Sequence, residues 1–370
     1  MGDLSVQTLV ATGGFVIGFL FGAVVQRTGF CTMGGISDAL FLDDTRRLRA
    51  WLLAIAVAVA GTTILHASGL IDIGRAFYLT PSLGWIGAIL GGLAFGIGMT
   101  FTGGCGSKNV ARLGAGSLKS LVVLLVLGLV AGMTLRGLVA PLRAWLERTG
   151  NFDVTSLGAA RQGVPELLAA TLGGSAGAWR IGLALAFALS LAGWCLRSAA
   201  FRATPTAWLG GTLIGGLVVV GWAVTGILGA DDFDPQPLVS LTFVAPVGDG
   251  LLYLMTFTGA SLSFGVAAVA GAILGAAIVA LVGGTFRIET FRDRGDMLRH
   301  VGGGALMGLG GVLALGCTVG QGITGLSTLA VGSFLAWGGI VAGAVLGLRI
   351  LEHGSLGAAL RAITGRTVSG

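Results

Sequence analysis

Three of the four cysteines in this chain stand at the same place in a repeated sequence pattern. Each follows a Gly-x-x-x-Gly pair by nine residues, in the units Gly18, Gly22 and Cys31; Gly92, Gly96 and Cys105; and Gly304, Gly308 and Cys317. A thiol is a weak hydrogen-bond donor and a soft ligand, so thiols suit soft partners such as sulfur compounds or copper(I). The shared spacing predicts that Cys31, Cys105 and Cys317 lie together at one centre.

The residues around each of these thiols are small and polar. Glycine beside a thiol lets a ligand approach the backbone, and neighbouring hydroxyl and amide groups supply neutral hydrogen-bond donors. The candidates for lining a path past the thiols are Thr32, Gly104, Gly106, Ser107, Lys108, Asn109, Gly316, Thr318 and Gln321. The alternative is that a free cysteine is only a small buried hydrophobe. That alternative is preferred for Cys195, which ends an ordinary apolar segment.

A path for a small sulfur-bearing anion fits this pattern better than a metal site does. No Cys-x-x-Cys pair or metal-spaced histidine accompanies the thiols, so no metal and no cofactor is predicted. Several weak sites in series allow an anion both to enter and to leave. Neutral thiols also avoid the high energy of a fixed charge buried in a bilayer. The sequence has no Ser/His/Asp set, Walker loop or paired carboxylates, so no catalytic residue is expected and the protein is not predicted to be an enzyme.

The composition places these residues inside a membrane. Hydrophobic residues make up 54% of the chain and charged residues 10%, and the mean hydropathy is +0.93, whereas soluble domains carry about 25% charged residues. Basic residues are scattered through loops without a patch typical of nucleic-acid binding. Apolar stretches predict nine membrane-spanning helices, at 8–26, 48–66, 83–101, 118–140, 179–197, 207–229, 264–283, 299–315 and 329–351. The first of them is interpreted as a retained helix, not a cleaved signal.

Four Gly/Thr/Ser-rich segments between the spans are too polar to cross a membrane and too apolar for ordinary loops. They are 28–42, 102–117, 238–262 and 316–328. Irregular backbone at membrane depth is tolerated only where protein buries it or where it lines a cavity. We therefore expect these segments to be re-entrant or short helices near the centre of the protein.

The distribution of Lys and Arg predicts the orientation. With the nine spans above, 16 of the 22 Lys and Arg residues fall on one side, which the positive-inside rule makes cytoplasmic. The N-terminus is then periplasmic and the C-terminus cytoplasmic. Residues 147–178 form a longer external connection, predicted as an amphipathic hairpin. Asp38, which follows the first unit, is expected to pair with Arg27 or to cap a helix.

A fourth, degenerate unit indicates an inverted repeat. Gly211 and Gly215 keep the spacing of the glycine pair, and Val224 occupies the cysteine position. Two units lie in each half of the chain, and a single span separates the halves, so the second half runs upside down relative to the first. The predicted fold is an all-α, polytopic membrane protein, one transmembrane domain over 1–370. Its half-repeats are 1–140 and 207–370, with an external connection and linking helix at 141–206.

The three motifs together resemble those of the YeeE/YedE family. They are Gly29-Phe30-Cys31-Thr32-Met33-Gly34, Thr102-Gly103-Gly104-Cys105-Gly106-Ser107 with Arg112-Leu113, and Gly316-Cys317-Thr318-Val319-Gly320-Gln321-Gly322. The resemblance extends over essentially the whole chain. It implies a bacterial inner-membrane transporter that imports thiosulfate, with an hourglass shape and the thiols Cys31, Cys105 and Cys317 relaying the substrate through transient S–H contacts. A small TusA-like sulfur carrier is the implied cytoplasmic partner.

Three alternatives remain at this point. Some members of the resembled family are linked to selenium or to other sulfur compounds, which leaves the substrate open. A membrane sulfurtransferase would instead hold a cysteine persulfide, and Lys108 near Cys105 is the one cation placed to activate the thiol. A glycine-rich scaffold with inert thiols is the third alternative.

Overall fold

The computed structural model describes residues 5–231, 233–355, 357 and 361, and this part of the chain is almost entirely helical. The helices are α1 Val6–Thr28, α2 Thr32–Phe41, α3 Arg46–Ala67, α4 Trp85–Phe101, α5 Gly106–Gly114, α6 Leu118–Arg136, α7 Ala140–Thr149, α8 Val164–Leu172, α9 Ala176–Leu196, α10 Ala199–Arg202, α11 Pro205–Ala223, α12 Val244–Met255, α13 Phe264–Val282, α14 Arg294–Leu313 and α15 Val331–His353. Single π-helical segments cover Val224–Leu228 and Gly320–Gly325, and 3₁₀ turns cover Ile73–Arg75, Phe77–Leu79, Val154–Leu157 and Phe257–Gly259. Two short strands, β1 Ser82–Gly84 and β2 Asn151–Asp153, pair antiparallel.

Eight of the helices are long and apolar enough to cross a membrane. Each of these eight helices overlaps a predicted span. They are α1, α3, α4, α6, α9, α11, α13 and α15. The remaining predicted span, 299–315, corresponds to α14, which is 20 residues long but has charged residues in its first turns. The predicted span 118–140 is too long, because α6 ends at Arg136 and the separate helix α7 begins at Ala140. The all-α membrane fold is confirmed.

Five of the long helices begin where the sequence supplies a hydroxyl or carboxylate cap. The side chains of Ser5, Ser117, Ser175 and Ser263 accept hydrogen bonds from backbone amides in the first turns of α1, α6, α9 and α13. Asp293 does the same for α14. These bonds satisfy amide groups that have no partner within the helix. The caps therefore fix where each helix starts at the ends of the apolar segments.

The glycine pairs hold the long helices together in backbone contact. A Cβ atom on Gly18 or Gly22 of α1 would collide with the backbone of α13, at Ala268 and Ala272. The other pairs are equally close to partner helices: Gly92 and Gly96 of α4 to α15, Gly211 and Gly215 of α11 to α3, and Gly304 and Gly308 of α14 to α6. Small residues allow this close approach between membrane helices. The four glycine pairs thus join eight helices two by two, and these eight helices are here called the frame.

The connection between α6 and α9 folds back over one end of this frame. It contains α7 and α8 with β2 between them, instead of the predicted amphipathic hairpin. Strand β2 pairs with β1 before α4, with Leu83 opposite Phe152. Arg180 of α9, which is buried, forms an ion pair with Glu166 of α8 at 2.7 Å and donates to the carbonyl of Thr328 at 3.1 Å. The connection is therefore fastened to the segment that precedes α15.

Candidate functional site

Each of the three pattern cysteines is the residue from which a short helix starts. Cys31 is the N-cap of α2, and its sulfur accepts a hydrogen bond from the Gly34 amide at 3.5 Å. Cys317 precedes the helical run 318–327, and its sulfur accepts from the Gly320 amide at 3.4 Å. Cys105 is the N-cap of α5, with the Lys108 amide close to its sulfur but not completing a cap bond. The segments predicted as re-entrant or short helices thus contain short helices, and the thiols stand at their N-termini.

A left-handed residue two positions before each thiol ends the preceding long helix. These residues are Gly29 with φ 66°, Gly103 with φ 66° and Leu315 with φ 57°. Glycine adopts this conformation freely, whereas other residues do so with strain. The break turns the chain so that the short helix starts in a new direction, at a cysteine held at its first amides. The left-handed backbone therefore explains why glycine stands at positions 29 and 103. At the third break the same conformation is adopted by a leucine, Leu315.

Replacing Leu315 by glycine is expected to leave the thermal stability unchanged or higher. The left-handed conformation disfavours a leucine by roughly 1–2 kcal/mol, while the added flexibility of glycine in the unfolded chain offsets about 0.5–1 kcal/mol. Leu315 is half exposed, so little packing is lost. The matched control is Leu129→Gly, an exposed leucine within α6, which should lose about 1 kcal/mol. Thermal unfolding in detergent measures the stability of both variants. An equal loss of stability in Leu315→Gly and Leu129→Gly would contradict the strain at Leu315.

A fourth short helix reaches the same centre without a cysteine. Helix α12 has Phe243 as its N-cap residue, and the Phe243 amide lies at the Cys317 sulfur. The assignment of Val224 to the cysteine position is wrong for the folded chain, because α11 continues through Val224 as a π-helical segment to Leu228. The chain leaves this helix only after Leu228, and the short helix α12 starts after Phe243, so the break comes later than in the other three units. Spacing along the sequence could not reveal this delay.

The three thiols follow one another through the interior. Cys31 and Cys105 lie side by side with their sulfur atoms close enough to interact directly. The Thr318 hydroxyl also lies beside the Cys105 sulfur, and Thr318 directly follows Cys317 in the chain. All three are reduced and buried, with 8%, 2% and 0% of Cys31, Cys105 and Cys317 exposed. The structure therefore places the thiols in the order Cys31, Cys105, Cys317.

The loop that carries Cys105 is held by a buried polar network. The Asn109 amide nitrogen donates to the carbonyls of Gly104 at 3.0 Å and Cys105 at 3.1 Å. The Thr102 hydroxyl donates to the Gly104 carbonyl at 2.8 Å, and the Ser107 hydroxyl lies 3.3 Å from the Cys105 sulfur. A fully connected network of this kind fixes a loop in one conformation. Thr102, Ser107 and Asn109 therefore position the Cys105 thiol.

A large open cavity, here called the vestibule, reaches Cys31 from one end of the molecule. Its volume is about 820 Å³. Besides Cys31 and Asn109 it is lined by six cationic side chains and two carboxylates: Arg47, Lys108, Arg112, Lys119, Arg287 and Arg299, with Asp38 and Glu289. An excess of cations around a concave surface concentrates anions there. The lining of the vestibule thus favours anions next to Cys31.

Two ion pairs connect helices at the vestibule. Asp38 pairs with Arg47 of α3 at 3.3 Å, so the expectation that it pairs with Arg27 is wrong. Lys119 of α6 pairs at 2.8 Å with Asp296 of α14, a carboxylate that is itself buried. Asp296 also pairs with Arg299 at 3.1 Å and lies 3.2 Å from a ring nitrogen of His300, so three basic side chains surround this carboxylate. These pairs accordingly join the elements that form the vestibule wall.

The residues predicted to contact or line the path fall into three groups. Cys31, Lys108 and Asn109 line the vestibule. Gln321 lines a second, much smaller cavity of about 20 Å³ on the opposite side of the thiols, here called the distal pocket, together with Tyr78, Gln162 and Ser333. The others lie near the thiols without lining either cavity: Thr32, Gly104, Gly106, Ser107, Gly316 and Thr318. Tyr78, which lies close to Cys317, and Gln162 were missed because loop residues carry no spacing signal.

Cys195 lies apart from the other thiols. It is buried at the end of α9, and its thiol donates to the Arg49 carbonyl at 3.2 Å. The Arg49 guanidinium covers the Trp194 ring at 3.9 Å. These contacts dock α9 on α3 and have no part in the centre. In the described part of the chain no group of three or more His, Cys, Asp or Glu side chains is placed to share a metal ion.

The short helices add a positive potential at the centre to that of the nearby Lys108 side chain. Helix N-termini carry a partial positive charge and unpaired amides, and they bind anions readily. The N-termini of α2, α5, α12 and the 318–327 helix all meet at the thiols. A small anion at this centre would find weak S–H and O–H donors and amide dipoles. Such contacts hold an anion loosely enough to release it.

These features define a multi-pass, all-helical membrane protein whose centre contains three buried thiols. The chain belongs to the sulphur transport family, whose model matches residues 27–346, and the resemblance to the YeeE/YedE family is thereby confirmed. It is 28% identical over 327 residues to the "Thiosulfate transporter TsuA" of Spirochaeta thermophila, covering 86% of this chain and 92% of that protein. It is 26% identical over 331 residues to the "Thiosulfate transporter TsuA" of Escherichia coli K12, covering 84% and 86%.

Proposed function

We propose that this protein imports thiosulfate, or a closely related sulfur-containing anion, across the bacterial inner membrane. The observation that carries the proposal is the row of thiols Cys31, Cys105 and Cys317, each at the N-terminus of a short helix and the first of them open to the cationic vestibule. The membership of the sulphur transport family supports the transported class. The two relatives named as thiosulfate transporters support the particular anion.

The proposed path has an hourglass shape. The vestibule of about 820 Å³ and the distal pocket of about 20 Å³ lie on opposite sides of the thiols. An anion would pass from the distal pocket to Cys317, Cys105 and Cys31 and leave through the vestibule, exchanging one weak S–H contact for the next. With the orientation expected from the Lys and Arg distribution, the vestibule opens to the cytoplasm, the N-terminus is periplasmic and the C-terminus cytoplasmic. A TusA-like sulfur carrier, implied by the resemblance alone, would receive the anion there.

The inverted repeat belongs to the same proposal. Helix α1 packs on α13 through its glycine pair, and the repeat-related helix α11 packs on α3 through its own pair. In the same way α4 packs on α15, and α14 packs on α6. Half-repeats at 1–140 and 207–370 would exchange these partners by a twofold rotation, which supports an inverted arrangement with the site at the interface of the halves.

Uptake of ³⁵S-labelled thiosulfate into proteoliposomes tests the proposal. Vesicles with the protein should accumulate label faster than empty vesicles, and excess unlabelled thiosulfate should suppress the signal. Unlabelled sulfate, sulfite and selenite, added separately, distinguish thiosulfate from the other sulfur and selenium compounds. Uptake equal to that of empty vesicles would refute the proposal.

One contact favours a second function, a membrane sulfurtransferase. The Lys108 side chain lies close to the thiols of both Cys31 and Cys105, and a nearby cation favours the thiolate. A thiolate would attack the outer sulfur of thiosulfate, form a cysteine persulfide and release sulfite, with the S–S electron pair leaving on sulfite. Intact-protein mass spectrometry after exposure to thiosulfate distinguishes the functions, because only the sulfurtransferase gains the mass of one sulfur atom.

A further inference from the structure

Three buried polar side chains in the distal pocket have an oxygen atom without a hydrogen-bond partner among the residues that the structure describes. They are the hydroxyls of Tyr78 and Ser333 and the side-chain carbonyl of Gln321. Tyr78 is 3% exposed, Ser333 1% and Gln321 2%. Buried polar groups nearly always have a partner, and a buried group without one is unfavourable. The two hydroxyls therefore lack an acceptor and the Gln321 carbonyl lacks a donor, which indicates a polar ligand at this cavity.

Two long helices begin at the same pocket. Gly84, the N-cap residue of α4, lines the pocket and gives that helix no side-chain cap. Gly332 and Ser333, in the first turn of α15, line it from the other side. The N-terminal ends of long helices favour anions. The free hydroxyls thus point to an acceptor that is an anion.

Gln162 occupies the acceptor position at the start of α15. Its backbone carbonyl accepts from the Val331 amide at 2.9 Å, and its side-chain carbonyl accepts from the Gly332 amide at 3.2 Å. Its side-chain amide donates to the Ser82 carbonyl at 3.1 Å. The segment around Gln162 therefore crosses the pocket between β1 and α15, and its two oxygen atoms satisfy the amides that an anion would use.

We propose that the distal pocket is an oxyanion-binding subsite, covered in this structure by Gln162, in which Tyr78 and Ser333 donate hydrogen bonds to the oxygen atoms of the anion. The proposal rests on the proposed function, because the ligand is the transported sulfur anion. The present volume of about 20 Å³ suffices for about one water molecule, so the anion binds after the Gln162 segment moves aside. Tyr78 lies close to Cys317, so the subsite delivers the anion to Cys317, the first thiol on the proposed path.

Concentration-dependent uptake of labelled thiosulfate by Tyr78→Phe and Ser333→Ala tests the subsite. Both changes remove one hydroxyl and keep the rest of the side chain. Each is expected to raise the half-saturating thiosulfate concentration about tenfold, as loss of one hydrogen bond to a charged ligand does, with a smaller effect on the maximal rate. Gln162→Ala removes the side-chain part of the cover and is expected to lower the half-saturating concentration.

The chain offers matched controls for both changes. Tyr253→Phe alters the other tyrosine, which contacts Phe257, and Ser190→Ala alters an exposed serine of α9. Both should transport like the parent, and size-exclusion elution confirms that each variant is folded. If folded Tyr78→Phe and Ser333→Ala keep the parental half-saturating concentration, the subsite is refuted while the proposed function stands. If the parent itself does not transport thiosulfate, the proposed function fails instead.

Discussion

Cys105→Ala is expected to lower the initial rate of thiosulfate uptake in proteoliposomes by about 10- to 100-fold, the effect of losing a hydrogen bond to a charged ligand at a buried site. Cys105 is the middle thiol of the row, it is 2% exposed, and it lies beside both Cys31 and Thr318. On the proposed path, an anion that cannot contact this sulfur must pass from Cys317 to Cys31 without an intermediate site. Cys31→Ala and Cys317→Ala should lower the rate in the same direction.

Cys195→Ala is the control for the loss of a buried thiol. Cys195 is 0% exposed, as deeply buried as Cys317, but its thiol donates to the Arg49 carbonyl outside the centre. It should lose some stability and keep its uptake rate. If all four alanine variants transport at the parental rate, the thiols are only small packing residues and the relay is refuted.

Gly22→Ala is expected to lower the stability of the fold by about 1–3 kcal/mol, the typical energy of forcing an extra carbon into a packed interface. The added Cβ would overlap the backbone of Ala272 in α13, and backbone atoms cannot rotate away as a side chain can. Helices α1 and α13 would have to separate along their contact. The temperature of half-maximal unfolding in detergent, followed by size-exclusion fluorescence, measures the effect.

Gly182→Ala should give the opposite sign. Gly182 lies within α9, and a Cβ there would meet no atom within 4 Å. Alanine in an open helical position stabilises a protein by about 0.5–1 kcal/mol relative to glycine. A loss of stability at Gly182 equal to that at Gly22 would mean that helix approach does not explain the glycine pairs.

The positions of the spans and the equivalent positions of the three thiols could be predicted because both depend on local sequence. An apolar run of sufficient length determines a membrane helix, and the eight residues between Gly22 and Cys31 contain the end of one helix and the turn into the next. The glycine pair and the cysteine turn out to have separate tasks. Gly22 permits backbone contact with α13, whereas Cys31 caps α2.

Other features depend on contacts between residues far apart in the chain, and the spacing of residues along the sequence does not predict such contacts. The partner of each glycine pair lies on a helix that the sequence does not mark. Phe243 reaches the centre only because α11 runs on to Leu228 before the chain breaks. Gln162 lies 170 residues before Gly332, whose amide it satisfies. The left-handed backbone at Leu315 could not be predicted either, because the related positions Gly29 and Gly103 are glycines and a leucine does not indicate this conformation.

The glycine contacts have a mechanical consequence for the whole molecule. Side chains that can change rotamer usually form a compliant layer between packed helices, and at the four glycine pairs backbone touches backbone instead. The eight helices that these pairs join two by two are therefore expected to resist separation within each pair. The short helices after Cys31, Cys105 and Cys317 are connected to three of these helices through the breaks at Gly29, Gly103 and Leu315. Any displacement of a thiol is thus expected to come from rotation of its short helix about the break, while the paired long helices stay in place.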